Sequence, residues 1–101
     1  TGGTISGNTA TTSDGGAIWT EVKTVIANTN FTNNTATTGN GGAISHTATA
    51  VERALGIIAD GNDVTFSGNK ANGADNDIYN AGQLELIAGT NKITLGGCIW
   101  R

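Results

Sequence analysis

The chain has 101 residues, a formal net charge of -3, 16 glycines, and no proline or methionine. That length holds one domain or a piece of one. The acidic balance excludes the basic face that a nucleic-acid or anionic-membrane partner requires. No apolar run reaches the roughly 20 residues needed to span a bilayer, so no membrane insertion is expected. No signal peptide is recognisable either. Cys98 is the only cysteine, which rules out an internal disulfide and leaves a small buried hydrophobe as its default role.

In chain order, the first predicted element is the short strand Thr4-Ile5-Ser6, followed by Gly7-Asn8. The pair Gly15-Gly16 then leads into Ala17-Ile18-Trp19-Thr20, and an aliphatic cluster follows at Thr24-Val25-Ile26-Ala27. The same three kinds of element return as Asn30-Phe31-Thr32, Ala43-Ile44-Ser45 after Gly41-Gly42, and Gly56-Ile57-Ile58-Ala59. A third set is Thr65-Phe66-Ser67, Ile78-Tyr79-Asn80 and Leu84-Glu85-Leu86-Ile87-Ala88, and Lys92-Ile93-Thr94-Leu95 begins a fourth. All are short, rich in β-branched or aromatic residues, and bounded by Gly and Asn, which is strand and turn chemistry. The one candidate helical stretch, Ala50-Val51-Glu52-Arg53-Ala54-Leu55, lies in the extra residues that lengthen the second period.

The spacing is 26 residues from Ile5 to Phe31 and 35 from Phe31 to Phe66. Self-similarity at such a period marks a stacked-repeat architecture. The expected fold is all-β: a right-handed parallel β-helix of about four coils, with three short strands per coil, over residues 1–101 as a single segment. Side chains one period apart then stack. Ile18, Ile44 and Ile78 form one column. Val25 or Ile26, Ile57 or Ile58, and Leu86 or Ile87 form a second. Ile5, Phe31, Phe66 and Ile93 form a third. Asn8, Asn34 and Asn69 should align at one corner and bond from rung to rung. Paired glycines allow the sharp turn before each strand of the Ile18 type.

The two ends of the predicted coil carry Thr4 and Ile5 on one side and Cys98, Ile99 and Trp100 on the other. Neither shows a polar or helical cap, so both are expected to stack on something: further coils of a parent chain or, as the competing reading, identical subunits placed head to tail in a filament.

The alternation of Gly15-Gly16-Ala17-Ile18 and Gly41-Gly42-Ala43-Ile44 with Phe31-Thr32-Asn33-Asn34 and Phe66-Ser67-Gly68-Asn69 resembles the repeats of chlamydial polymorphic outer-membrane proteins and related β-helical autotransporter passengers. It covers roughly residues 4–99. The first copy has Ile5 where those repeats prefer Phe, and the third has Asn76-Asp77 in place of Gly-Gly. The resemblance implies an extracellular or bacterial cell-surface β-helix, often adhesive, with a host-surface or carbohydrate ligand.

Chemistry-bearing residues are sparse. His46 stands without a second His or a clear carboxylate partner, so a turn-proximal surface position is expected. Asp60-Gly61-Asn62-Asp63 and Asp75-Asn76-Asp77 read as turns. Weak calcium binding would follow only if Asp63 and Asp77 converged, and no other cofactor is expected. The carboxylates are dispersed and show no acid/base pair, so the chain is read as not an enzyme. A carbohydrate-active β-helix enzyme remains the alternative. Trp19 and Trp100 follow inward isoleucines and should face outward, as a binding platform or a stacking contact. Thr35-Ala36-Thr37 and Thr47-Ala48-Thr49 fall in predicted loops of unequal length, which opposes a flat ice-binding array. Asn33-Asn34-Thr35 matches a glycosylation sequon, a pattern common by chance.

Overall fold

In a computed structural model, residues 3–12, 14–48, 53–97, 99 and 100 are described. The chain winds as a β-solenoid. The first coil contains β1 (Gly3–Ser6), β2 (Thr9–Ala10), β3 (Ile18–Thr20) and β4 (Thr24–Ala27). The second contains β5 (Thr29–Thr32), β6 (Thr35–Ala36), β7 (Ile44–His46) and β8 (Leu55–Ile58). The third contains β9 (Val64–Ser67), β10 (Lys70–Ala71), β11 (Ala74–Asp75), β12 (Ile78–Asn80) and β13 (Leu84–Ile87). A fourth begins with β14 (Ile93–Leu95) and β15 (Ile99–Trp100). Thus three coils are complete and a fourth is partial.

Strands stack into four sheets. Sheet A runs β1-β5-β9-β14, sheet B runs β2-β6-β10-β11, sheet C runs β3-β7-β12-β15, and sheet D runs β4-β8-β13. Every pairing is parallel except that of β10 with β11. The parallel β-solenoid expected from the repeat is therefore the fold. Sheets A, C and D hold the three predicted strand types; sheet B adds a two-residue ladder after each corner asparagine.

Why these residues stack is visible in the register. Ile18 pairs with Ile44, Ile44 with Ile78, and Ile78 with Ile99. Ile5 pairs with Phe31 and Phe31 with Phe66. The two phenyl rings lie 4.9 Å apart and 8° from parallel. In sheet D the inward column is Ile26-Ile57-Leu86, flanked by Thr24-Leu55-Leu84. Burial alternates along strands such as β3, β9 and β12, where residues two apart share the core face. Phe31, Ile44, Leu55, Ile57, Val64, Phe66 and Ile78 are sealed from solvent in one continuous core.

Three expectations are corrected. Ile93 does not stand on Phe66; it pairs with Val64, and Leu95 occupies the Phe66 column. Both face the core, because a two-residue shift keeps a side chain on the same face. The register is set by the turn ahead of β14, where Lys92 carbonyl oxygen accepts the Val64 N–H at 2.8 Å. The candidate helix gives way at Leu55, which opens β8, while residues 50–52 lie outside the described residues. Thr35-Ala36 is a strand, not a loop. Among the described residues there is no α-helix, and no helix long and apolar enough to cross a membrane.

Candidate functional site

The side chains that recur from coil to coil meet at the corner between sheets A and B. Asn34 Oδ1 accepts both the backbone N–H and the Nδ2 of Asn8, each at 3.1 Å. Asn69 Oδ1 accepts the same two groups of Asn34 at 3.0 Å. The remaining Nδ2 hydrogens turn back to carbonyls of the sheet A strands. Asn34 donates to Ile5 and Asn69 to Phe31, both at 3.0 Å. Asn34 and Asn69 are buried, and each amide is used on both sides. Asparagine suits the place because one short side chain supplies two donors and one strong acceptor.

The ladder ends on an acid. Asn69 Nδ2 donates to Asp77 Oδ1 at 2.9 Å, and Asp77 Oδ2 accepts the Gly97 N–H at 2.7 Å. Ile78 lies over Ile44, so Asp77 stands at the position of Ala43 and Asn76 at that of Gly42. The sequence had suggested that Asn76-Asp77 replaced the glycine pair itself; the structure shifts the alignment by one residue, because this repeat is one residue shorter.

The second glycine of each pair is needed for close approach. A Cβ on Gly16 would press on Gly42 O and lie 2.6 Å from Thr35 N. A Cβ on Gly42 would lie 2.5 Å from Asn76 O and 2.8 Å from the Asn69 carbonyl carbon, with Lys70 N nearer still. These are backbone atoms of the coil above, so no rotamer relieves them.

Replacing Asn34 by Ala should remove four side-chain hydrogen bonds and orphan partners on both sides. The expected loss is about 2–4 kcal/mol, given ~1–3 kcal/mol for each unsatisfied buried polar group. Chemical denaturation of the variant against the parent measures it, and a change below ~1 kcal/mol would show that water replaces the amide.

His46 was expected at the surface and is fully buried. It sits in register between Thr20 and Asn80, at the sheet C end of the turn into sheet D. Its Nδ1 lies 2.7 Å from Asn80 Oδ1 and its Nε2 3.2 Å from the Val22 carbonyl oxygen. The ring thus ties the first coil to the third. No sequence signal distinguishes this role from that of a surface histidine.

The two acidic turns occupy different corners. Asp63 precedes sheet A and its Oδ1 accepts the Lys92 N–H at 2.9 Å and Asn91 Nδ2 at 3.2 Å. Asp77 precedes sheet C. They do not converge, and among the described residues no group of three His, Cys, Asp or Glu side chains is placed to hold a metal ion. Beside Asp63 an open polar cleft of about 390 Å³ is lined by Gly3, Thr4, Asn28, Asn30 and Asn62.

The Lys92 backbone N–H, then the Asn91 amide, hold the Asp63 carboxyl below the usual carboxylate range. A depressed acid contributes stability that is present above the ordinary Asp value and is lost on acidification. Asp63→Asn should therefore unfold at a lower temperature than the parent at neutral pH, and the gap should close below about pH 4. A gap that persists unchanged in acid would remove Asp63 as its source.

In sheet C the register brings Trp19, Ser45, Tyr79 and Trp100 into line. Trp19 is 55% exposed, while Ser45 is buried and its hydroxyl has no partner. Of the residues expected at the coil ends, Thr4 is exposed and Ile5 half-buried on the first coil, and Ile99 is exposed on the last. Cys98 lies outside the described residues.

Residues 2–21 and 28–47, two adjacent stretches, match the family model described as Chlamydia polymorphic membrane protein (Chlamydia_PMP) repeat. Each match spans one sheet A strand, one corner asparagine and one glycine pair, the parts that build the ladder. No curated protein and no solved structure matches the chain.

Proposed function

We propose that this chain, two stretches of which match the polymorphic-membrane-protein repeat, is a surface-displayed, non-catalytic solenoid that holds loops and an outer aromatic face toward another surface. The observation that carries this reading is where the recurring polar chemistry goes. Asn8, Asn34 and Asn69 bond one coil to the next, and Asp77 joins Asn69 in the third coil to Gly97 in the fourth. That is chemistry of construction. An acid/base pair would instead face an open groove with a matched separation. The family description, of membrane proteins, supports a place at the outer membrane or cell surface.

Antibodies raised against the purified chain should label intact cells of the source, and surface proteolysis should abolish the label. Label that requires permeabilised cells would overturn the surface assignment. The adhesive part of the reading rests on Trp19, an exposed ring of the kind enriched at interface hot spots. Beads coated with the chain should be retained on a host-cell monolayer, and Trp19→Ala should reduce that retention about tenfold. Equal retention of both would remove the sheet C face from the contact.

A further inference from the structure

We propose that the two ends of the solenoid are not equivalent. The first-coil end is a docking surface for one more parallel coil of the same repeat type, and the sheet B side of the opposite end is closed by a built-in cap. This rests on the ladders alone and not on the surface role proposed above.

The cap is made of four features in the third repeat. Asn72 and Gly73 both have positive φ, 52° and 80°, which is the geometry of a two-residue hairpin turn. The chain therefore folds back, and β11 lies antiparallel on the edge of β10, where the next coil would have paired. Lys70 Nζ and Asp75 Oδ1 close the hairpin at 2.8 Å. Asn76 stands where the two lower coils carry the glycine that permits close approach; its Oδ1 accepts the Gly41 N–H and its Nδ2 donates to Ile78 O. Asp77 ends the asparagine ladder. The fourth coil agrees: from Leu95 in sheet A to Ile99 in sheet C it takes four residues and, among the described residues, has no sheet B strand, whereas Phe31 to Ile44 takes thirteen.

Among the described residues the first-coil end has none of this. Strands β1 to β4 are the edge strands of sheets A, B, C and D. In the second coil the N–H groups of Thr35, Thr37 and Thr47 donate down to Asn8, Ala10 and Thr20. By register their first-coil counterparts are Thr9, Thr11 and Glu21, whose N–H groups point away from the stack. Asn8 uses its donors on Asn34 and the Ser6 carbonyl, and among the described residues its Oδ1 accepts nothing. Ile5, Ala17 and Ile18 are half-buried core residues at this face. The occupant that completes all of these at once presents carbonyls to three N–H groups, an Asn over Asn8 and aliphatic or aromatic side chains over Ile5 and Ile18. It also carries glycine over Gly16, because the coil below must let the coil above approach. A parallel repeat coil meets every requirement. The capped end of a second copy offers no sheet B partner for β2, which disfavours head-to-tail self-stacking.

The test adds a second copy of residues 2–27 directly ahead of residue 2, which preserves the 26-residue spacing. Hydrogen exchange at Thr9, Thr11 and Glu21 should slow at least about tenfold in the extended chain. Changing the added copy's second glycine to Ala should abolish that slowing while Phe31 and Ile44 stay protected. The same segment added after Arg101 should gain no protection of its own. Three results would overturn the proposal: no slowing with the original coils folded, equal protection at both ends, or slowing of these amides in the unextended chain as a dimer forms, which makes a second copy the occupant. Should the extended chain fail to fold, the segment is supplied as a free peptide and read at the same three amides, with the same outcomes.

Discussion

Ile44→Asp should leave the chain unfolded at room temperature. Ile44 is fully buried in the middle of the three complete coils, with Ile18 below and Ile78 above. Burying an unpaired charge costs more than a single-domain stability of about 5–15 kcal/mol can absorb, unless the acid protonates. Neutralisation lessens the cost but still leaves a polar group in place of an aliphatic one, so the loss exceeds about 4 kcal/mol. Circular dichroism and a urea titration check this. A cooperative transition at an unchanged midpoint would move Ile44 out of the core.

Gly42→Ala should be nearly as damaging, although it adds one methyl group. The added carbon would fall within 2.8 Å of the Asn69 carbonyl carbon and 2.5 Å of Asn76 O. Those atoms belong to the third coil, so relief means lifting that coil from the second. Lifting strains the Asn34 to Asn69 bonds, the Gly42 N–H to Asn76 O bond at 2.8 Å and the Phe31–Phe66 contact together. A loss above about 4 kcal/mol is expected, in the range reserved for overpacking and broken networks. Gly56→Ala is the matched control. Its new carbon would meet only Val25 and Thr24 atoms at 3.8 and 3.9 Å, so its denaturation midpoint should stay close to the parent's. Similar losses for both would point to general glycine effects rather than to coil approach.

The repeat spacing made the solenoid legible because each period carries a strand of the same kind at the same place, and parallel stacking needs nothing else. Phe31 and Phe66, 35 residues apart, could be matched by type alone. Sheet B was harder. Its strands are two residues long, too short for any alternation to show. A usable signal was present in the recurring Asn8-Thr9-Ala10, Asn34-Thr35-Ala36 and Asn69-Lys70-Ala71, where a small residue follows each corner asparagine by two. The Asn72-Gly73 pair was a second, being the strongest short hairpin signal a sequence carries. Ile93 and His46 were misplaced for a different reason. Which of two inward residues lands on Phe66, and whether a histidine at a strand end is covered, depends on turn bonds and neighbouring coils that periodicity does not encode.

The winding also decides what such a chain is good at building. One turn of 26 residues climbs only about 4.8 Å, whereas the same residues in an α-helix would climb about 39 Å. Four rungs span three such steps, about 14 Å, well short of the molecule's 36 Å longest dimension. The result is a squat drum, wider than it is tall. A reach of 100 Å would take about 20 turns at this rise. A drum of this girth gains breadth long before it gains height, and what it offers a neighbour is two broad flat lids and a rim of loops.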